Sequence, residues 1–292
     1  MTNLLLAHTN SYHGFSLEEA IKGIAAAGFK HVELSAVKGW TEHVMPDMSD
    51  EDLEGVKRLL ADHGITAVAL SGHCNLMEEQ RLDDFRRSIE LAAKLGCRYI
   101  VTSTGEAHFG EDEERNDDEL IRNIKSLLPS LEKHGIILAI ETHGEVYGTG
   151  TSLYAITQAV GSELVSVNFD TANCFFWGGA QPMDDIRTCV NGVRYVHLKD
   201  KIGPQKEWNF PGSGNGELPL REFIEYMGAN GYEGPYSVEI EYTEEFCMRD
   251  KDQPGDIDIA NKEMADSYKF LSSIFTGPLE PECNQEVPTC RE

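Results

Sequence analysis

Short apolar runs with alternating polar positions recur along the chain, separated by longer stretches whose apolar residues fall every three or four positions. The first pattern has the period of a β-strand and the second that of an amphipathic helix. Strands are predicted at Leu4–His8, His31–Ala36, Ile65–His73, Arg98–Thr104, Ile136–His143, Val165–Asp170, Val193–Lys199 and Pro235–Tyr242. Helical patterns cover 16–28, with Ser16 as N-cap and Gly28 as stop, and also 48–64, 80–96, 116–135 and 218–231. The order helix, glycine, strand repeats (AAAGFKHVEL, ADHGITAVAL, AKLGCRYIVT, EKHGIILAI), a weak internal repeat of one βα unit. Eight such strands with no break in composition imply a single (β/α)8 TIM barrel over 1–275. A doubly wound open sheet is the runner-up, but the first turn lacks a G-x-G-x-x-G fingerprint. Residues 276–292 are rich in proline and glutamate, have no period, and read as an irregular tail.

Along a barrel strand alternate side chains face the interior and the surrounding helices. In VSVNFD the apolar Val165, Val167 and Phe169 take the outward face, which leaves Asp170 inward at the carboxyl end. The same parity turns Glu141 and His143 inward in ILAIETH, His197 and Lys199 in RYVHLKD, and Glu239 and Glu241 in YSVEIEY. Carboxylates and an imidazole from four successive strands thus point to one place, at the end of the barrel where such folds carry their sites. A cluster of buried like charges costs several kcal/mol per ion unless a cation compensates it. A divalent metal ion is the natural choice, and an oxygen-rich set with one nitrogen suits Mn²⁺ first, with Mg²⁺, Co²⁺ or Zn²⁺ also compatible.

Composition narrows the function classes. Fifty acidic residues against 25 basic ones give a formal net charge of -25. Such a surface repels nucleic acid and anionic membranes, so neither is an expected partner. The seven cysteines show no C-x-x-C spacing, and the first residues show no basic or small-residue leader pattern, so a cytoplasmic protein with reduced thiols is expected. Nothing resembles a nucleotide fingerprint, hence no redox cofactor. The acidic stretch 106–119 reads as a solvated face.

The inward residues sit in phrases that resemble the xylose isomerase-like barrel superfamily, in particular its sugar phosphate isomerase/epimerase group. The phrases are IETHGE, FDTAN, HLKD, the glycine-rich FPGSGNGELP and GPYSVEIE, one per strand and in this order. The resemblance runs from about residue 3 to about residue 275. It implies metal ligands at Glu141, Asp170, His197 and Glu239, and so selects Glu239 over Glu241, which parity alone leaves equivalent. Members that epimerise free keto-hexoses carry a His three residues after the Asp and an Arg six after the metal His. Asn173 and Gly203 stand at those places here.

The expected reaction is isomerisation or epimerisation of a small keto sugar. A divalent ion would acidify the C–H next to a carbonyl, and Glu141, Glu239 or His143 would remove the proton. Elimination from a keto sugar or inosose is the alternative. A nucleic-acid phosphodiesterase or a non-catalytic barrel fits less well. Lys199 could stabilise a developing oxyanion or pair with Asp200 or Glu241. Glu33, His73, Glu106, Asn173 and Trp177 are the candidate substrate contacts, with Trp208 a further ring for stacking. The GSGNG run with Lys201 or Lys206 could form a phosphate nest, yet no arginine flanks it, so an unphosphorylated substrate is favoured. A homo-oligomer is compatible with all of this.

Overall fold

The computed structural model describes residues 3–105 and 115–275. The predicted apolar runs form β1 (Leu5–His8), β2 (His31–Ser35), β3 (Thr66–Ser71), β4 (Tyr99–Thr102), β5 (Ile137–Glu141), β6 (Val165–Asp170) and β7 (Val193–Leu198). A two-residue β8 (Asn209–Phe210) precedes β9 (Tyr236–Val238), and β1 to β7 close with β9 into an eight-stranded parallel barrel. The family of helices around it includes α1 (Leu17–Ala27), α2 (Asp50–Asp62), α3 (Leu82–Lys94), α4 (Asp117–His134) and α5 (Gly150–Val160). It continues with the short α6 (Asn173–Phe176), α7 (Pro182–Cys189), α8 (Leu220–Ala229), α9 (Glu244–Met248) and α10 (Asp256–Phe275). This is the TIM-barrel architecture expected from the alternation.

Helix ends follow the local chemistry. Ser16 caps α1 in a reciprocal capping box with Glu19, and Gly28, at φ 112°, ends the helix in the left-handed region that glycine enters without a Cβ clash. Asp185 performs a longer-range version. From α7 its carboxylate accepts from the Gly150 N–H at 2.6 Å, the Thr151 N–H at 3.0 Å and the Thr151 hydroxyl at 2.6 Å, closing the amino end of α5. Removing it leaves the buried Gly150 N–H unpaired and uncaps the helix, so Asp185→Ala is expected to cost about 2 kcal/mol. Urea unfolding checks this; a loss below about 0.5 kcal/mol would mean that water replaces the carboxylate.

The eighth barrel strand is shorter than predicted. Beyond Val238 the backbone leaves the ladder: the Ile240 N–H donates to the Ser11 hydroxyl and the Glu241 N–H to the Phe210 carbonyl. Tyr242 then takes φ 59°, and β10 (Tyr242–Thr243) pairs antiparallel with β8. No helix among the described residues is long and apolar enough to cross a membrane. The five described cysteines are buried free thiols.

Inside the barrel, the lower layers are apolar, with Leu6, Ala69, Tyr99, Val101, Ile137, Ala139 and Tyr195 in one cluster. Above them, at the carboxyl ends of the strands, the interior becomes polar. That change of layer positions the site.

Candidate metal centre and active site

Glu141, Asp170, His197 and Glu239 each bring one donor atom into a group whose atoms all lie within 4.8 Å of one another, and all four residues are buried. The β6–β7 ladder sets Asp170 directly across from His197, and β5 and β9 flank that pair. His197 Nδ1 lies 3.3 Å from Glu141 Oε1, 3.5 Å from Glu239 Oε2 and 3.8 Å from Asp170 Oδ2. Asp170 Oδ1 is committed to the N–H groups of Ala172 and Asn173 at 2.8 and 2.7 Å, which fixes the carboxylate. Its Oδ2 is buried and accepts no hydrogen bond. A fixed, buried carboxylate oxygen with nothing to accept, aimed at three other donors, fits a metal ligand better than a structural acid.

The other carboxylates are held as firmly. Glu141 Oε1 accepts from the Asn173 amide at 3.0 Å, and Oε2 lies 3.0 Å from His73 Nε2. Glu239 Oε1 takes the Asn10 amide at 2.9 Å and His8 Nδ1 at 3.0 Å, while Oε2 is 3.4 Å from Lys199 Nζ. Five buried carboxylates (Glu33, Glu141, Asp170, Glu239, Glu241) lie in or just below this site, and the Lys199 ammonium pairs with two of them, Glu239 and Glu241. Their charges distort one another. Burial pushes the Asp170 carboxyl well above its ordinary range; the negative charges of Glu141 and Glu239 push the same way, and Lys199 and His197 oppose them only in part. Burial acts the same way on Glu141 and Glu239, but His197 in the first case and Lys199 with His197 in the second outweigh it and hold both well below. Burial would lower the His197 imidazole, yet Glu33, Glu141 and Glu239 raise it well above its ordinary value. Without a metal, protons must supply the missing positive charge; a divalent cation supplies it in one place.

A sequence model of the xylose isomerase-like TIM barrel matches residues 21–273. The chain belongs to that family. Fructoselysine 3-epimerase of Shigella flexneri is 21% identical over 250 residues, which cover 80% of this chain and 88% of that enzyme. Among solved structures, D-psicose 3-epimerase of Clostridium cellulolyticum H10 with D-tagatose superposes with a TM-score of 0.75 at 15% identity, over 94% of this chain and 99% of that one. A xylose isomerase-like TIM barrel protein of Mycobacterium smegmatis in complex with magnesium gives 0.71 at 16% identity, over 94% and 98%. At such identities the structural likeness establishes the fold alone.

In this xylose isomerase-like barrel the candidate centre opens into a small chamber at the carboxyl ends of the strands. Glu141, His143, Lys199, Glu239, Asn173 and His73 line it. Lys199 pairs with Glu241 at 2.5 Å and not with Asp200, so Glu241 lies outside the group of four and serves as the lysine's partner. Burial pushes the Glu241 carboxyl up, against the pull of Lys199. His143 is buried beside the chamber, and burial lowers its imidazole to about 4.

Two of the proposed substrate contacts, Glu33 and Trp177, fall off the chamber wall. Glu33 has no exposed surface and does not reach the chamber. It lies beneath His197, its Oε2 3.0 Å from His197 Nε2 and accepting from the Tyr195 hydroxyl at 2.8 Å. Its place near the end of β2 suggested a substrate contact, but its depth along the strand puts it below the chamber floor. Trp177 stands behind His143, ring centroids 5.1 Å apart, off the chamber wall. Glu106 lies outside the described residues. Five residues that the sequence reading missed are on the wall: His8, Asn10, Val37, Trp40 and Ser71. His8 has the inward parity of Leu6 in β1 and could have been found that way; it sits directly across from Glu33 in the ladder. Asn10 lies in a 3₁₀ turn after the strand, where parity says nothing.

The glycine-rich run is not a phosphate nest. The N–H groups of Gly214, Gly216, Leu218 and Lys201 all donate to the Asp200 carboxylate at 2.9 to 3.1 Å, so the chain's own anion fills the nest. Lys201 Nζ is turned onto the carbonyls of Ile202, Pro204 and Glu207, and Lys206 pairs with Glu145.

Tyr195, Glu33 and His197 form a chain in which a carboxylate orients the imidazole and leaves Nδ1 facing the other donors. Such partners behind a ligating histidine typically contribute 10–100-fold in metal affinity. Glu33→Gln is therefore expected to weaken divalent-ion binding by about 30-fold while the barrel stays folded. Chelator competition measures it; unchanged affinity would reduce Glu33 to a packing residue.

Proposed function

We propose that the chain is a divalent-metal-dependent epimerase of an unphosphorylated keto sugar, acting by proton abstraction next to the carbonyl. The carrying observation is the unpartnered Asp170 Oδ2 amid three more buried donors, beside a chamber walled by two firmly held carboxylates. Glu141, Asp170, His197 and Glu239 would hold the ion, with Mn²⁺ the first candidate and Mg²⁺, Co²⁺ or Zn²⁺ compatible with the same set. When bound, such an ion supplies Lewis acidity toward a substrate carbonyl and its neighbouring hydroxyl.

The residues do the rest. Glu141 and Glu239 come from different strands and both line the chamber, so they address the reacting carbon from different sides. One takes the proton from the carbon beside the carbonyl, and the other returns a proton to the opposite face, which inverts that centre. Asn173 and His73 keep Glu141 in place, and Asn10 and His8 do the same for Glu239. Lys199, anchored by Glu241, places a cation beside Glu239 and can stabilise developing negative charge on a substrate oxygen. The relatives named fructoselysine 3-epimerase and D-psicose 3-epimerase support epimerisation of a ketose as the reaction class. Asp200 occupying the glycine-rich nest supports an unphosphorylated sugar.

Turnover of candidate ketoses in deuterated water is the test. Epimerisation by this route places solvent deuterium at the inverted carbon. Product without deuterium overturns the reading once direct return by a shielded base is excluded with substrate deuterated at that carbon. Loss of water from the same substrates would point instead to the eliminating branch of this chemistry.

A further inference from the structure

The amide of Asn10 holds the Glu239 carboxylate, and its own orientation is fixed from the other side. Asn10 Nδ2 donates to Glu239 Oε1 at 2.9 Å and reaches Glu241 Oε1 at 3.5 Å. Asn10 Oδ1 accepts from the Trp40 indole N–H at 3.0 Å and from the Thr41 hydroxyl at 2.7 Å. An indole nitrogen only donates and an ionised carboxylate only accepts, so the flipped amide would be mismatched at both ends. Thr41 gives its proton to Asn10 and therefore accepts from His13 Nδ1, 2.7 Å away. Burial, with the charges of Lys251 and His43 adding to it, lowers the His13 imidazole to about 4. The ring is thus neutral at neutral pH and carries its proton on Nδ1. It also stacks on Trp40, centroids 4.1 Å apart. Donation runs one way, from His13, Thr41 and Trp40 through Asn10 to Glu239.

The residues that set Asn10 stand on a fixed support. They lie in the β2–α2 connection, where Ala36 and Glu42 form a bridge. The Thr41 carbonyl there accepts from the Ser35 hydroxyl at 2.9 Å and from the Val37 N–H at 3.1 Å. Thr41 is buried and lies off the chamber wall, whereas Trp40 is part of it. With Glu239 Oε1 taken by Asn10 and His8, Oε2 is the oxygen that faces His197 Nδ1, at 3.5 Å. We propose that Trp40 and Thr41 are positioning residues for Glu239, acting through Asn10. They lock the amide, and the amide divides the carboxylate into one held oxygen and one presented to the reacting centre. This rests on the reading of Glu239 as a metal ligand and proton-transfer group. A carboxylate displaced by about 1 Å can cost about 100-fold in rate without loss of the fold.

Thr41→Val keeps the side-chain outline and removes the hydroxyl, while Thr41→Ser keeps the hydroxyl. With the Mn²⁺-loaded protein and D-psicose, Thr41→Val is expected to lower kcat by about tenfold and leave KM within about twofold, with Thr41→Ser close to the unaltered protein. Asn10→Ala should lower kcat by about 100-fold, and the double variant no further, because the hydroxyl acts through the amide. Binding of Mn²⁺ alone, measured by chelator competition, should follow the same pattern. Asn10→Ala should be about tenfold weaker, Thr41→Val about threefold, and the double variant no weaker than Asn10→Ala. If Asn10→Ala does not fold, Asn10→Asp takes its place, keeping an oxygen for Trp40 and Thr41 while offering Glu239 a carboxylate in place of a donor. An unchanged kcat in Thr41→Val, or effects that multiply in the double variant, overturns the proposal. Without turnover of D-psicose the Mn²⁺ dissociation constants decide by the same criteria, and the epimerase reading is judged by the deuterium experiment alone.

Discussion

Asp170→Ala is expected to leave the protein with less than about a tenth of its divalent ion after dialysis and to lower turnover by at least about 1,000-fold. A Lewis acid at a carbonyl contributes several kcal/mol, and about 4 kcal/mol corresponds to roughly 1,000-fold in rate. The direction of the stability change separates a metal ligand from a structural acid. Asp170 Oδ2 makes no hydrogen bond, and its carboxylate is crowded by Glu141 and Glu239. In Asp170→Asn, which keeps an oxygen for the Ala172 and Asn173 N–H groups, the metal-free protein should therefore lose little stability, whereas Asp170→Ala also leaves those two buried donors unpaired. The stabilisation by added ion should vanish in both; for the unaltered protein that gain is about 2.7 kcal/mol at an ion concentration 100 times the dissociation constant. Thermal melting with and without Mn²⁺, together with elemental analysis, reads both effects. Full occupancy in Asp170→Ala and in Asp170→Asn would end the proposal that this cluster is the metal site.

The second large effect concerns the pair of carboxylates. Glu239→Gln should lower turnover by about 1,000-fold, within the range that a positioned acid or base contributes, and weaken the ion as well. Glu241→Gln, one inward position further on, should keep the ion, because Glu241 is engaged by Lys199 at 2.5 Å and lies outside the four-donor group. The two variants differ only in register along the same segment, so fold damage would affect both alike. Retention of metal in Glu239→Gln with its loss in Glu241→Gln would show that the chain leaves β9 in a different register from the one described.

Much of the site was legible because strand parity is a local covalent property. Val165, Val167 and Phe169 had to face the helices, and that alone turned Asp170 inward. The same holds for His197 between Val196 and Leu198, and for Glu141 after Ile140. Parity reports a face but not a depth. Glu33 and Glu141 are both inward, yet one lies under His197 and the other on the chamber wall, because barrel strands are tilted and staggered and equal parity does not mean equal height. Parity also ends where the ladder ends. Ile240 and Glu241 take their directions from hydrogen bonds to the Ser11 hydroxyl and the Phe210 carbonyl, and Asn10 from its amide donating to Glu239, contacts between residues more than 30 positions apart.

The sequence by itself determined the eight-fold alternation, hence the closed barrel, and the set of acids and histidines that face its interior. Only the tertiary structure decided which of them meet. Closure pairs β1 with β9 and turns β2 toward β7 across the interior, so that His8 reaches Glu239 and Glu33 supports His197 from behind. It also folds Asp200 back into the glycine-rich loop, turning an apparent anion site into an internal contact. Local periodicity follows from backbone geometry within a few residues, whereas the pairing of buried charges depends on which strands the closed barrel makes neighbours.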